Sequence, residues 1–370
     1  QQKMKKDIEK IKKIDVQVVE DIAVGAALLG TGGGGDPYVG KLMAIQALQK
    51  NGPVELIDVD DIPDDALVVP VAMMGAPTVL VEKVPSGKEI FKAFDSLQSF
   101  LGKEVYAVLP IEAGGVNSMI PIMVAAEKKL PLVDVDGMGR AFPELQMVTY
   151  HLYGVSATPM VLADEKGNSI LLHTISNFWT ESLARNATVV MGGSVMIAIY
   201  PMTGKDLKRA GIRNVISYSV QIGRAIREAH KKGEDPIEAL LEVTGGYMLF
   251  KGKISDVQRR TTGGFVRGEA HIDGIDQYKG EAMTINFQNE NLIARRNGKV
   301  VATVPDLICT VDAHTALPIT TEGLRYGQRV FIIGIPCDKK WRTEKGIETV
   351  GPRYFGYDVD YIPLEELNRG

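Results

Sequence analysis

Residues 15–40, DVQVVEDIAVGAALLGTGGGGDPYVG, decide what kind of fold this chain can adopt. Val16, Val19, Ile22, Ala23, Ala26 and Ala27 recur at intervals of three and four, the period of an amphipathic helix, and Asp15 stands where an N-cap belongs. Five glycines then fall within the six residues Gly30–Gly35. Asp36 and Pro37 suit the N-cap and first turn of a second helix, which Leu42, Ile45 and Leu48 continue and Asn51-Gly52 ends. The unit is therefore helix, glycine loop, helix. Gly30, Gly32 and Gly35 satisfy G-x-G-x-x-G, and Asp58 follows at about the distance of a ribose-binding acid. That fingerprint requires a strand before the loop, however, and no Lys-Ser/Thr pair follows to make a phosphate loop, so a nucleotide-binding reading ranks last. Two roles are left for the glycines: to let amides approach an oxyanion beside a helix N-terminus, or to let another segment pack closely. Asp36 competes for the same amides.

Outward from this unit, residues 54–59, 66–73, 104–110 and 131–136 are short β-rich runs, and helical patterns at 88–101 and 117–129 lie among them. This alternation predicts a layered α/β domain, sheet and helices. Gly167-Asn168 predicts a hairpin, and helices dominate 177–244. From Gly245 the pattern becomes many short strands, with a two-residue turn at Asn297-Gly298. The expected organisation is an α/β domain over 1–244, a smaller all-β domain over 245–338, and a segment, 339–370, rich in aromatics and able to return to the first domain.

Composition excludes several classes. A formal net charge of −4 gives no footprint for nucleic acid, and no apolar run suits a membrane span or signal peptide. Cys309 and Cys337 are too few for a disulfide framework, so the expectation is a cytoplasmic protein, with a homo-oligomer as the default assembly.

Chemistry concentrates at the ends of the first-domain strands, where α/β folds bind ligands. In LVDVDGMGRAFPE, Asp134 and Asp136 alternate with valines and are expected on one face of a strand, with Arg140 and Glu144 just beyond. Paired carboxylates need compensation by a metal, by Arg140 or by a raised pKa, unless Asp134 merely caps a helix and Asp136 starts a turn. PIEAGGVNSM places Glu112, Gly114, Gly115, Asn117 and Ser118 after another strand, and MMGAPTVLVEK ends one at Gly75, with Glu82 and Lys83 downstream. The five histidines show no metal-ligand spacing, so a divalent ion such as zinc would have to be assembled from distant residues, with Asp134, Asp136 and His151 as the candidates.

GTGGGGDPYVGKL, MMGAPTVLVEK, VDVDGMGRAFPELQM and VGPRYFGYDVDYIPLE together resemble the domain-of-unknown-function 917 family, called S-methyl-thiohydantoin desulfurase-like, over about residues 16–367. The resemblance implies an α/β domain joined to a β-rich domain, association with hydantoinase and oxoprolinase-type proteins, and a cyclic amide, ureide or thiohydantoin as small-molecule substrate. The leading expectation is thus a hydrolase acting on a hydantoin-like ring. In it Asp134 or Asp136 acts as base or metal ligand, Glu144 as acid, and Arg140 as anchor for a substrate carboxylate. Gly32, Gly33, Gly34, Gly35, Asp36, Glu112 and Asn117 complete the substrate-binding set. The rival is a non-catalytic subunit partnering a hydantoinase-type protein.

Overall fold

The computed structural model describes residues 4–76 and 87–370, so Glu82 and Lys83 lie outside the described residues. Asp15 caps helix Val16–Leu29, its carboxylate accepting from the Val18 amide at 3.0 Å. This helix lies against helix Val215–Lys232 at two mid-helix glycines. A Cβ on Gly25 would stand 1.8 Å from the Ser219 carbonyl oxygen, and one on Gly223 2.0 Å from that of Asp21. Each glycine costs its helix about 0.5–1 kcal/mol relative to alanine, and the close backbone approach is what it makes possible.

The first domain is built on a mixed sheet. Strands Val54–Ile57, Leu132–Val133, Val105–Pro110 and Leu67–Gly75 run parallel in that spatial order, and Ser194–Ala198, Met160–Ala163 and Ser169–Leu172 extend it antiparallel. Central positions such as Val69, Val71, Val108 and Leu132 are fully buried because helices cover the sheet, which explains their nearly continuous apolar runs. Ser194–Ala198 returns to this sheet from within the helical stretch 177–244, so that stretch belongs with the first layer.

The second domain, from Tyr247, is a seven-stranded antiparallel sheet whose end strands are Lys299–Thr303 and Leu307–Asp312. Its two ends curl toward each other: Asn291 Nδ2 donates to the Ile308 carbonyl at 2.9 Å. The half-barrel so formed encloses Phe250, Ile254, Ile272, Ile285 and Ile332. The chain beyond 338 is pinned by one carboxylate. Asp306, with no exposed surface, accepts from the Cys337 amide (3.0 Å), Arg342 Nη2 (2.8 Å), the Tyr361 hydroxyl (2.8 Å) and the Leu364 amide (2.9 Å). From there Trp341 reaches back to the first domain, its Nε1 donating to the Met138 carbonyl at 2.8 Å.

One expectation needs correction. Residues 131–136 are not a single strand: Leu132–Val133 lies in the large sheet, whereas Val135–Asp136 pairs with Ile212–Arg213. The break falls at Asp134, whose carboxylate turns to the start of helix Val215–Lys232 and accepts from the Ile216 amide (2.8 Å), the Ser217 amide (3.2 Å) and the Ser217 hydroxyl (2.5 Å).

Candidate active site

The glycine loop meets the loop after strand Val105–Pro110 so closely that neither has room for side chains. A Cβ on Gly34 would be 2.5 Å from Gly114 Cα, and the Gly34 carbonyl accepts from the Val116 and Asn117 amides at 2.9 and 3.3 Å. From the other side the second domain holds the loop: the Asn291 amide donates to the Thr31 carbonyl and the Thr321 amide to that of Gly32, both at 2.8 Å. Gly33 faces the side chain of Glu290, whose Oε1 would lie 2.3 Å from an added Cβ.

Beside this junction is a small cleft. Gly34, Gly35, Glu112, Asn117, Glu144, Arg185 and Glu290 line it, together with methionines 73, 74 and 138. The amides of Gly34 and Gly35 have no acceptor among the described residues. Glu112 is positioned by the strand end and by Asn117, whose Nδ2 donates to its Oε1 at 2.5 Å while the Asn117 Oδ1 accepts from the Met73 amide at 2.8 Å. Its other oxygen accepts from the Phe142 amide at 3.3 Å. Burial pushes the Glu112 carboxyl up to about 7, against the pull of those hydrogen bonds and of Arg140 and Arg185. Glu290 enters from the second domain, 2 % exposed, and its Oε2 is buried without a hydrogen-bond partner. Burial, and next the nearby Glu112, hold its carboxyl well above the usual range, with Arg140 opposing. Two carboxyls from two domains thus share one cleft and resist simultaneous ionisation.

The cation side is already occupied. Arg140, with no exposed surface, donates from Nε to the Ala141 carbonyl, from Nη1 to those of Pro305 (2.6 Å) and Asp306 (3.1 Å), and from Nη2 to the Thr31 hydroxyl (3.1 Å), while stacking over Phe142. It ties the domains together behind the cleft and lends its charge to the two glutamates, rather than presenting a fork to a substrate carboxylate. Arg185 pairs with Glu181 at 2.7 Å and donates to the Pro143 carbonyl at 2.9 Å. Burial pushes Glu181 up to about 7 even so.

Of the expected site residues, Glu112, Asn117, Glu144, Gly34 and Gly35 come together in the cleft. Gly32 and Gly33 serve packing against Thr321 and Glu290. Asp36 caps helix Pro37–Asn51, accepting from the Tyr38 amide at 2.7 Å. Asp134 caps a helix, and Asp136 closes a turn by accepting from the Gly139 amide with both oxygens at 2.9 Å. Neither aspartate lines the cleft. His151 is held through Nδ1 by Asn177 at 2.9 Å and stands edge-on to Phe178. Asp134, Asp136 and His151 are not gathered, and among the described residues no group of three His, Cys, Asp or Glu side chains is arranged to hold a metal ion. The donor set therefore does not fit the zinc expectation, because the carboxylates it needs are turned to backbone amides. The sequence reading missed Glu290 and Arg185. The one signal for Glu290 was the polar run Gln288-Asn289-Glu290-Asn291 inside an otherwise apolar β pattern.

Profiles of both halves of one family cover the chain: the S-Me-THD-like N-terminal domain matches residues 17–174 and the S-Me-THD-like C-terminal domain residues 175–364. The chain belongs to the S-Me-THD-like family. The profile boundary at residue 174 precedes the change of sheet at 244–247, because strand Ser194–Ala198 lies in the first sheet. A structural-genomics crystal structure of a protein from Chromobacterium violaceum superposes with a TM-score of 0.79 at 24 % identity, over 96 % of this chain and all of that one, and shares the fold. No curated protein matches the sequence. Among the described residues no helix of this S-Me-THD-like protein is long and apolar enough to cross a membrane.

Proposed function

We propose that this S-Me-THD-like protein hydrolyses a hydantoin- or thiohydantoin-type ring, with Glu112 and Glu290 as the acid–base pair. The observation that carries the reading is the two buried carboxyls at one small cleft, one of them bearing an unpartnered oxygen. Hydrolysis at a ring carbon requires removal of a proton from water, protonation of the leaving atom and donors for the developing oxyanion. The pair resists double ionisation; Glu112, whose oxygens accept from Asn117 and the Phe142 amide, suits the base, and Glu290, whose Oε2 has no donor, suits the acid. Glu112 takes a proton from water as its oxygen bonds to the ring carbon. The amides of Gly34 and Gly35 receive the charge that develops on the atom doubly bonded to that carbon, oxygen at a ring carbonyl and nitrogen at the carbon of an S-methyl-thiohydantoin. The bond from that carbon to its sulfur or nitrogen then breaks, and the Glu290 proton goes to the leaving atom. Proton transfer from Glu112 to Glu290 restores the pair.

The test is turnover of hydantoin, thiohydantoin and S-methyl-thiohydantoin substrates by the purified chain, alongside Glu112→Gln and Glu290→Gln. Each substitution should lower kcat by about 10²–10⁴-fold with circular dichroism unchanged. Wild-type turnover in both variants would remove the assignment. If the chain turns over no substrate until a hydantoinase-type protein is added, the non-catalytic subunit reading replaces this one.

The same pair sets a pH profile. Activity should rise as pH climbs through about 7, where Glu112 loses its proton, and fall above that as the Glu290 proton is lost. A kcat/KM profile flat from pH 5 to about 9 would contradict a working pair.

A further inference from the structure

On the second domain, strand pairing sets Arg260 directly opposite Arg267, and Arg267 directly opposite Gln288. Beside this row, Gln258, Glu269 and Asn286 form another, on the same face because residues two apart along a strand share a face. Like charges directly opposed across a ladder destabilise it. Here neither arginine pairs with a carboxylate among the described residues. Glu269 has His271 as its ionic neighbour, 3.7 Å away. Arg267 uses one donor on Gln288 Oε1 at 2.9 Å and lies over the Phe265 ring, and no partner of Arg260 is among the described residues. Tyr357, from the C-terminal segment, walls the groove under Arg295. The groove has a volume of about 420 Å³, within the range of small-molecule sites.

We propose that this groove binds a dianionic small molecule, its charge held between Arg260 and Arg267 and its body laid along Gln258 and Gln288 toward the Tyr357 ring. Two guanidinium groups facing each other make a fork for a phosphate or for paired carboxylates, and the ligand supplies the negative partner that neither arginine has, Glu269 of the next row also lining the groove. The site is separate from the cleft of Glu112 and Glu290 and does not depend on what that cleft catalyses.

The experiment is calorimetric titration of the full chain with inorganic phosphate and, separately, with succinate. Binding at millimolar concentration or tighter, weakened by added salt, is expected for at least one of the two. Phosphate alone identifies a phosphorylated ligand and succinate alone a dicarboxylate. Arg260→Gln and Arg267→Gln should each weaken that binding at least tenfold, while Glu112→Gln leaves it intact. The ligand-free Arg260→Gln protein should melt no lower than wild type, since removing one of two opposed charges relieves the strand pair. A merely structural Arg260 would give a lower melting temperature. Absence of binding for both anions, unchanged binding in the Arg260→Gln/Arg267→Gln double variant, or loss of binding in Glu112→Gln would overturn the proposal.

Discussion

Substituting Gly33 and Gly34 one at a time separates two demands placed on one loop. Gly34 has φ +80° and its absent Cβ would strike Gly114 backbone, so Gly34→Ala should cost at least about 1–3 kcal/mol of stability from strain at that φ alone. Gly33 has no left-handed φ, and the nearest atoms its added methyl would meet are Oε1, Cδ and Cγ of the Glu290 side chain, at 2.3, 2.5 and 2.9 Å. Gly33→Ala should therefore fold and instead displace the acid, lowering kcat and shifting the alkaline limb of the pH profile. Urea denaturation with the pH profile checks both; a Gly33→Ala protein with wild-type kinetics would mean that Glu290 has room to retreat. At this scale the sequence was partly legible. Glu112 and Asn117 stood out because glycines at a strand end expose neighbouring side chains. Glu290 did not, because nothing local says which acid will lie across from residue 112. Arg140 misled for a physical reason: a guanidinium that binds carbonyls of the protein has the same sequence signature as one awaiting a ligand.

At the scale of elements, Asp134 joins two pieces of structure. Its carboxylate satisfies amides at the start of helix Val215–Lys232, whose N-cap residue, Asn214, contributes no side-chain cap. Asp134→Ala would leave buried donors unpaired, and a loss of about 1–3 kcal/mol is expected by urea denaturation, with kcat of the folded fraction unchanged. A fall in kcat without loss of stability would return Asp134 to the active site. Helix caps and tight turns were the most readable features: Asp15, Asp36 and the hairpin turn at Asn297-Gly298 act as their residue types predict. The run at 131–136 was misread because the alternation of Val and Asp is the same for one strand as for two short ones in different sheets. Only the partner strands, 54–57 on one side and 212–213 on the other, tell the two apart.

For the whole molecule, the buried carboxyls set an uncommon dependence of stability on pH. Burial lifts Glu112, Glu181 and Glu322 to about 7 and holds Asp136 and Glu290 well above their usual range. The folded chain then binds more protons than the unfolded one, so their stabilisation is complete below the ordinary carboxylate range and is lost as pH rises through the raised values. Asp58, Asp64 and Asp276, lowered chiefly by hydrogen bonds to lysines, act in the opposite sense and matter only at more acidic pH. The melting temperature should be higher at pH 5 than at pH 8, and Glu290→Gln should flatten that slope; a wild-type protein most stable at pH 8 would show that the buried acids are ionised in place. The two-domain architecture, α/β followed by antiparallel strands, was legible in the sequence pattern, but the cleft was not, since it is assembled only when the half-barrel closes over the glycine loop. That assembly carries one more consequence. Because Glu112 and Glu290 belong to different domains, any hinge motion that parts the domains and admits water lets both acids ionise at neutral pH. Opening of the two halves is then a proton-releasing event, and the acidity of the surroundings acts as a latch on the molecule's own breathing.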